Sequence, residues 1–360
     1  MTALASPAMN AETAACPDGL RLSPRQCDVL RAVVRAYVGE AAPIGSERIS
    51  HLLPRQLSSA SIRSTLAELG EMGLLEKPHA SAGRVPSEAG LRYFIDRLLD
   101  PAEVAAWDRR SLDYEVDRAD GDAVFAAAAD QLSASTRLLG FALAPRLERV
   151  TLQHLSLVRL ATGRVLAVLV SSTGATYRRV IEGPREIVQR ELDRMAALLA
   201  ARAAGHTLAE LRDALRREAR ALRREADRVL RLALELGERA VAECDAEDGD
   251  LVLATRLALL DQPEFRDPRR VREVLETLET KERLAEIVQD MLGGAGVRVV
   301  LGGEVGDLAL SHCALVATHY GDAAAPLGAV GVLGPSRMDY ARVIPLVAYC
   351  SRIVTEKLQA

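Results

Sequence analysis

Apolar side chains recur every three or four positions in the first hundred residues, a spacing that predicts short amphipathic helices. The first helix is expected to begin at Ser23-Pro24-Arg25-Gln26, because a cap serine, a proline at the first helical position and a glutamine three residues after the cap stand together. Gly39 is expected to close this helix. Ser46 is expected to cap a second helix that runs through Leu53 and stops at Pro54.

A third helix is predicted between Ser58 and Gly73, with Ile62, Leu66 and Leu69 on its inner face. The outward face carries small or hydrogen-bonding side chains, namely Ala60, Ser61, Arg63, Ser64 and Ala67. Such side chains let a helix backbone approach base edges in a DNA groove, whereas bulky ones hold it away. An ordinary solvated helix face is the alternative interpretation.

The segment Leu74–Lys77 is predicted to be a strand, and Pro78–Pro86 a tight loop that returns to a further helix. Three helices followed by a two-stranded loop are typical of a winged helix-turn-helix. The loop is expected to be polar, mobile at Gly83 and tipped by Arg84, as a contact with phosphates or the minor groove requires. Together these features favour DNA binding by the first hundred residues.

Pro101 is expected to mark a linker, after which the pattern becomes mixed. A helix is predicted from Ala123 to Leu143, followed by three antiparallel strands within residues 155–160, 165–170 and 176–181. About a hundred residues of helical pattern come next, including one long amphipathic helix from Leu208 to Val229.

Short apolar runs return at Val297–Leu301, Ala314–His319 and Ala329–Leu333, before a final helix that Pro345 should kink. Strands on both sides of a helical block predict an α+β protein with a helical insertion.

The overall charge limits how such a protein attracts nucleic acid. The 360 residues carry a net charge of −4, so affinity for a polyanion must come from a locally basic region. Residues 21–97 contain eleven Lys or Arg against eight Asp or Glu, whereas the remainder is acidic. The arginine-rich helix after Leu208 is open to interpretation as an RNA- or membrane-binding surface, or as the solvated face of a partner-binding or dimerising helix.

The sequence contains no set of residues typical of catalysis or cofactor binding. Five widely spaced cysteines include no CxxC pair, the six histidines form no HExxH motif, and the glycine pairs lack the phosphate-loop pattern. We therefore expect neither an enzyme, nor a bound cofactor, nor a metal. The first twenty residues are expected to be a disordered tail, and the absence of a secretory or membrane-length apolar run favours the cytoplasm.

Several motifs resemble one known family, the heat-inducible transcription repressors of the HrcA type, nearly from end to end. The matching segments are Leu22–Gln26, Pro43–Ser46, Ser61–Arg63, Leu74–Pro86, Gln262–Phe265, Gly334–Tyr340 and Val343–Val347. The segment Leu74–Pro86 and the GPxRMxY segment from Gly334 are highly specific.

This resemblance implies a domain organisation. After a tail over 1–20, it implies a winged helix-turn-helix over 21–100, a GAF-like domain formed by 101–183 with 281–360, and a dimerisation domain inserted at 184–280. It also implies a homodimer that binds an inverted-repeat operator of chaperonin and Hsp70-type operons. Release would follow heat stress, with a chaperonin as the partner that restores the active fold.

The residues expected to contact DNA lie in the second and third helices and in the loop: Ser46, Arg55, Ser58, Ser59, Ser61, Arg63, Ser64, His79, Ser81, Gly83 and Arg84. The family commonly has proline and asparagine at the positions of Ser59 and Ser64. Because asparagine bonds adenine at two atoms and serine cannot, base preference at Ser64 is expected to be relaxed. A ligand-sensing regulator is the competing class, although no polar cluster in the sequence defines a pocket.

Overall fold

The computed structural model describes residues 20–53, 58–79, 82–145, 151–172, 174, 176–203, 206–221, 228–245, 251–255, 257–260, 262–279, 284–288, 296–305, 307–322 and 326–359. Both helices and sheets are present, so the predicted α+β class is confirmed. The expected tail over residues 1–20 lies almost wholly outside the described residues. No helix in these ranges is long and apolar enough to cross a membrane.

The N-terminal elements follow the predicted order. They are α1 (Pro24–Glu40), α2 (Ser46–Leu52), α3 (Ser59–Glu71), β1 (Leu75–Glu76), β2 (Val85–Pro86) and α4 (Glu88–Tyr93), which continues as a π-helical turn over Phe94–Leu98. The predicted start of α1 is confirmed, because Ser23 N–H donates to Gln26 Oε1 at 2.9 Å and the Ser23 hydroxyl accepts from Gln26 N–H. α1 continues past Gly39 to Glu40, and Ala41 ends it in a left-handed conformation with φ 52°.

The prediction that Ser46 caps α2 is wrong. Gly45 holds the cap position in extended backbone, and Ser46 is the first helical residue. The shift has a structural cause: Ile44 pairs with Arg84 in a β-bridge, which keeps the chain extended up to Gly45. α2 ends at Leu52, and the expected stop at Pro54 lies outside the described residues.

The remaining strands form two separate antiparallel sheets. They are β3 (Leu139–Leu143), β4 (Leu152–Ala161), β5 (Arg164–Ser171), β6 (Thr176–Glu182), β7 (Leu251–Leu253), β8 (Arg298–Leu301), β9 (Cys313–Gly321) and β10 (Pro326–Pro335). The order β7-β3-β10-β9-β8 gives a five-stranded sheet, and β4-β5-β6 a three-stranded one. The six strands predicted from alternation and apolar runs are confirmed, whereas β3 and β7 were not predicted.

The helices cover these sheets. They are α5 (Ala106–Arg118), α6 (Ala123–Thr136), α7 (Gln189–Ala203), α8 (Leu208–Ala221), α9 (Arg228–Asp245), α10 (Leu257–Leu260), α11 (Pro268–Glu279) and the C-terminal helix (Tyr340–Gln359), with 3-10 turns at Pro263–Arg266, Gly302–Val305 and Leu308–Leu310. α5, α6 and the C-terminal helix cover one face of the five-stranded sheet, while α10 and α11 pack on the other. Pro345 lies inside the C-terminal helix, as predicted.

The last third of the helix predicted over residues 123–143 is wrong, because α6 ends at Thr136. Arg137 adopts a left-handed conformation with φ 57° and ends α6, and the next residues enter the sheet between β7 and β10. A Cβ atom on Gly140 would lie 2.0 Å from the carbonyl oxygen of Ala129, so α6 packs directly on the backbone of β3. Hydrogen bonds from two neighbouring strands outweigh the local helical pattern here.

The three-stranded sheet shares its core with the helices that follow it. Leu157 and Leu169 pack with Leu199, Leu215 and Leu234 from α7, α8 and α9. The expected boundary at residue 183 therefore does not separate these strands from the helices, although the domain assignment itself stays a prediction. α8 and α9 pack side by side, so the single helix predicted from Leu208 to Val229 is two helices in the structure.

One apolar cluster joins the N-terminal elements to the five-stranded sheet. It extends from Leu30 in α1 and Leu69 in α3 to Leu112 in α5 and Val347 in the C-terminal helix. Ala102 N–H donates to Ala341 O at 2.9 Å, so the chain after Pro101 is bound to the C-terminal helix. The N-terminal elements are therefore fixed on the rest of the chain by packing.

Candidate nucleic-acid interface

The outward face of α3 is exposed as the sequence predicts. Ser59, Arg63 and Ser64 are exposed and Ser61 is half-buried, whereas the predicted inner residues Ile62, Leu66 and Leu69 are buried. Ser58 caps the helix by accepting from Ser61 N–H at 3.1 Å, as expected. Thr65 was not predicted to be buried, and its hydroxyl donates to Ser61 O at 3.0 Å.

Glu68 organises the hydrogen bonds beside this face. Its carboxylate accepts from Gln26 Nε2 at 2.9 Å and from Ser64 Oγ at 3.1 Å, and Arg25 Nη2 lies 3.7 Å away. These contacts connect α3 to the first turn of α1. The Ser64 hydroxyl donates its hydrogen within the protein, so toward DNA this side chain can act only as an acceptor.

Arg25 is a candidate DNA contact that the sequence reasoning missed. Its Nη1 lies 3.5 Å from Ser61 Oγ, and half of its side chain is exposed. A cation in the first turn of a helix opposes the helix dipole, and this placement was the available signal that Arg25 serves something other than helix stability. Its position beside α3 follows from the packing of α1 on α3.

Arg63 is the exposed cation of α3. Within the described ranges its guanidinium forms no ion pair or hydrogen bond, and it points away from the core. A guanidinium in this setting presents a planar set of donors that suits guanine or phosphate.

The hairpin loop (residues 77–84) differs from the prediction in two respects. Arg84 is not at the tip: it lies at the base, where its N–H and C=O each bond Ile44 at 2.9 Å. Gly83 does not stand free but packs against the Ile44 backbone, because a Cβ there would lie 2.5 Å from the Ile44 carbonyl carbon and oxygen. The glycine is needed for close approach of two backbones, and the loop is held at this end.

Among the described residues of the hairpin loop, the exposed ones precede Gly83. Lys77 and His79 are exposed, and His79 O accepts from Ala82 N–H at 3.0 Å in a turn. The Arg84 guanidinium lies over the C-terminal part of α3, 3.2 Å from where a Cβ of Gly70 would stand. This cation therefore complements the negative end of the α3 dipole. The predicted contacts Arg55 and Ser81 lie outside the described residues.

A buried ionic group fixes α4 against the five-stranded sheet. Arg92 pairs with Glu304, donates to Val299 O at 2.8 Å and lies 3.6 Å from Asp96. Burial raises the pKa of Asp96, partly offset by Arg92. Glu88 accepts from Gly303 N–H at 3.0 Å beside this group.

The other candidate chemistry in the chain is limited. Cys27, Cys313 and Cys350 are free thiols, and burial raises the pKa of Cys313 and of Cys350 to about 12, so both are protonated at neutral pH. Among the described residues, no three His, Cys, Asp or Glu side chains converge as metal ligands. In α8, Arg217 is exposed and donates to Asp213 O of its own helix at 3.2 Å, as in a solvated face.

The sequence is similar to one family of known proteins over most of its length. A family model described as the HrcA protein C terminal domain matches residues 122–344. The heat-inducible transcription repressor HrcA of Xanthomonas axonopodis pv. citri (strain 306) is 34% identical over 340 residues, which cover 94% of this chain and 97% of that protein. The HrcA of Brucella canis (strain ATCC 23365 / NCTC 10854 / RM-666) is 35% identical over 349 residues, with 94% and 97% covered.

A crystal structure of a hypothetical protein at 2.2 Å resolution is similar in fold. The TM-score is 0.63 at 20% sequence identity, and the match covers 94% of this chain and 99% of that chain. At this identity the likeness concerns the fold alone.

Proposed function

This chain belongs to the HrcA family of heat-inducible transcription repressors, as its motifs indicated, and we propose that it represses transcription by inserting α3 into the major groove of an operator. The observation that carries the proposal is the exposed face of α3, where Ser59, Arg63 and Ser64 stand outward on a helix whose other side is buried. Arg25 from α1 and His79 from the hairpin loop extend this surface. The N-terminal elements then act as a winged helix-turn-helix, with the hairpin loop as the wing.

The DNA-contact set follows from this placement. Base edges would be contacted by Ser61, Arg63 and Ser64, while Ser58 and Ser59 at the start of α3 face phosphates with their N–H groups. Ser46 and Arg84 are assigned positioning roles in place of direct DNA contacts. Ser46 begins α2, and Arg84 fixes the wing to α3 and Ile44. Gly83 contributes its small size rather than a contact.

Two copies of the chain would be needed to read an inverted repeat, and the three-stranded sheet offers a surface for that dimer. Val158, Leu166 and Val180 lie side by side across β4, β5 and β6, on the face opposite α7–α9. Val158 is 40% exposed, Val180 41% and the nearby Leu160 52%. An apolar row open to water favours burial against its own copy, since a twofold axis pairs identical patches.

This surface refines the domain assignment. We assign the GAF-like domain to the five-stranded sheet with α5, α6 and the C-terminal helix, and the inserted dimerising domain to residues 152–245. The dimerising domain then begins with β4, because β4–β6 share their core with the helices of the insertion.

We propose that the operator lies upstream of chaperonin and Hsp70-type operons and that heat releases the repressor. A marginally stable repressor loses its active fold on modest warming, and a chaperonin occupied by other unfolded proteins no longer restores it. Operator occupancy lost on warming should therefore return when chaperonin and ATP are added. Failure to recover with active chaperonin would contradict this mechanism.

The direct test is a footprint of the full-length protein on the chaperonin promoter of its own genome. The proposal expects protection of an inverted repeat at 30 °C and its loss after heating. Equal protection of a scrambled repeat would contradict sequence-specific repression. Because non-specific binding depends steeply on salt, both duplexes are compared at the same ionic strength.

A further inference from the structure

Two segments that the proposed function leaves without a role meet at the end of α1. Arg337, from the GPxRMxY segment, donates through Nη1 to Val38 O at 2.9 Å and through Nη2 to Gln262 Oε1 and Glu264 Oε2, each at 3.1 Å. Its Nε also bonds Glu264. The Arg337 side chain is only 11% exposed and that of Glu264 is 21% exposed, so these bonds are largely shielded from water.

The chemistry of this contact requires an arginine. The carbonyl of Val38 lies in the last turn of α1, where helix carbonyls have no partner within the helix and carry the negative end of the dipole. A guanidinium reaches this carbonyl and a carboxylate at once, because its donors point in several directions in one plane. A lysine ammonium lacks that fixed arrangement.

The partners of Arg337 are themselves fixed to the sheet. Gln262 Nε2 donates to Arg137 O at 3.0 Å, at the end of α6, and Phe265 is buried in the core beside the five-stranded sheet. α1 is therefore bound at its C-terminal end to the C-terminal half of the chain. Arg92 fixes the N-terminal elements a second time, through α4, to Val299 and Glu304.

We propose that Arg337, held by Glu264 and Gln262, is a positioning residue for DNA recognition that sets the orientation of α3 relative to the dimerising body. The N-terminal elements are attached at two points, through Val38 on α1 and through Arg92 on α4, and two points prevent them from rotating about either one. In a dimer this fixes the separation and the relative angle of the two α3 helices, on which the match to half-site spacing depends. The inference rests on the proposed function.

The experiment measures affinity for three duplexes: the footprinted inverted repeat, the same repeat with its half-sites moved apart by half a helical turn (about 5 base pairs), and a single half-site. Arg337→Met is compared with Arg342→Met in the full chain. Arg342 is a suitable control because it also pairs with a carboxylate, Asp108 at 3.1 Å, but within the described residues it forms no hydrogen bond or ion pair with α1 or Gln262.

The variant Arg337→Met is expected to bind the natural repeat about tenfold more weakly and to bind the half-site as the parent does. It should also lose most of the preference for natural over altered spacing. Arg342→Met should keep that preference. Glu264→Gln, which retains Arg337 but removes the charge that holds it, should show the same change to a smaller degree, and it serves as the test if Arg337→Met does not fold.

Two results would overturn the inference: unchanged spacing preference in folded Arg337→Met or Glu264→Gln, or an equal loss on the half-site and the repeat. If the parent itself shows no preference for the repeat over scrambled DNA, it is the proposed function that fails. The outcomes of the two proposals are thus distinguishable.

Discussion

Arg84 and Ile44 exchange two backbone hydrogen bonds of 2.9 Å, which join the base of the hairpin loop to the connection between α1 and α2. The bridge places the Arg84 side chain over the end of α3, while Lys77 and His79 in the earlier part of the loop are exposed. Three elements of the N-terminal unit are thereby fixed relative to one another. The surface proposed to meet DNA is consequently largely preformed.

Gly83→Ala should destabilise the protein. The added Cβ would stand 2.5 Å from the Ile44 backbone, which two hydrogen bonds hold to Arg84, so we expect a loss of about 1–3 kcal/mol in the free energy of unfolding. Gly39→Ala is the matched control, since nothing lies within 4 Å of its added Cβ and alanine favours helix. That control should gain about 0.5–1 kcal/mol. Urea denaturation of both variants checks the opposite signs, and equal stabilities would refute the close-approach interpretation.

Arg63→Ala should weaken binding to the inverted repeat by about 1–3 kcal/mol while leaving the unfolding midpoint and the dimer unchanged. The reason is that Arg63 is exposed and supports no contact within the described structure. Arg110→Ala, which removes an exposed arginine from α5, should bind as the parent does. Fluorescence anisotropy at fixed salt provides the measurement. Full affinity in Arg63→Ala would remove this residue from the interface.

Arg84→Ala is expected to weaken binding by about 1–3 kcal/mol, and unlike Arg63→Ala also to lower stability. Its guanidinium neutralises the end of α3, an interaction worth about 0.3–1 kcal/mol. The variant should therefore lose thermal stability as well as affinity, with the dimer intact. A loss of affinity without any loss of stability would show that Arg84 acts only through DNA.

Glu68→Gln should reduce discrimination rather than affinity. Removing the carboxylate frees Arg25 and lowers repulsion of phosphates, so binding to a scrambled duplex should tighten by about 0.5–1 kcal/mol. Gln26 loses a charged acceptor, which should lower stability slightly. Anisotropy titrations on repeat and scrambled duplexes measure the ratio. An unchanged ratio would mean that the Glu68 carboxylate does not face the DNA.

Val158→Glu should convert the proposed dimer to a folded monomer. Val158 stands in the exposed apolar row of the three-stranded sheet, and a buried unpaired carboxylate in a twofold interface costs several kcal/mol. Leu198→Glu is the control, because Leu198 is similarly exposed at 37% but lies on α7, away from that face. Sedimentation velocity distinguishes monomer from dimer. If Val158→Glu remains dimeric, the interface lies elsewhere.

The sequence alone determined those features that depend on local chemistry. The capping box at Ser23 and Gln26, the cap at Ser58, the inner and outer faces of α3, and six of the strands follow from side-chain spacing and hydrogen-bonding capacity over a few neighbouring residues. The same motifs identified the family. These inferences hold because a cap or an amphipathic face is set by residues within one or two turns.

Only the tertiary structure decided the features that depend on distant partners. Leu139–Leu143 is a strand because β7 and β10 supply its hydrogen bonds. Arg84 lies at the base of the loop, not at its tip, because it pairs with Ile44, forty residues earlier. The junction of Arg337 with Val38 joins residues that no local pattern connects. Periodicity reports which side of an element is apolar, whereas the partner it meets is fixed only when the whole core packs.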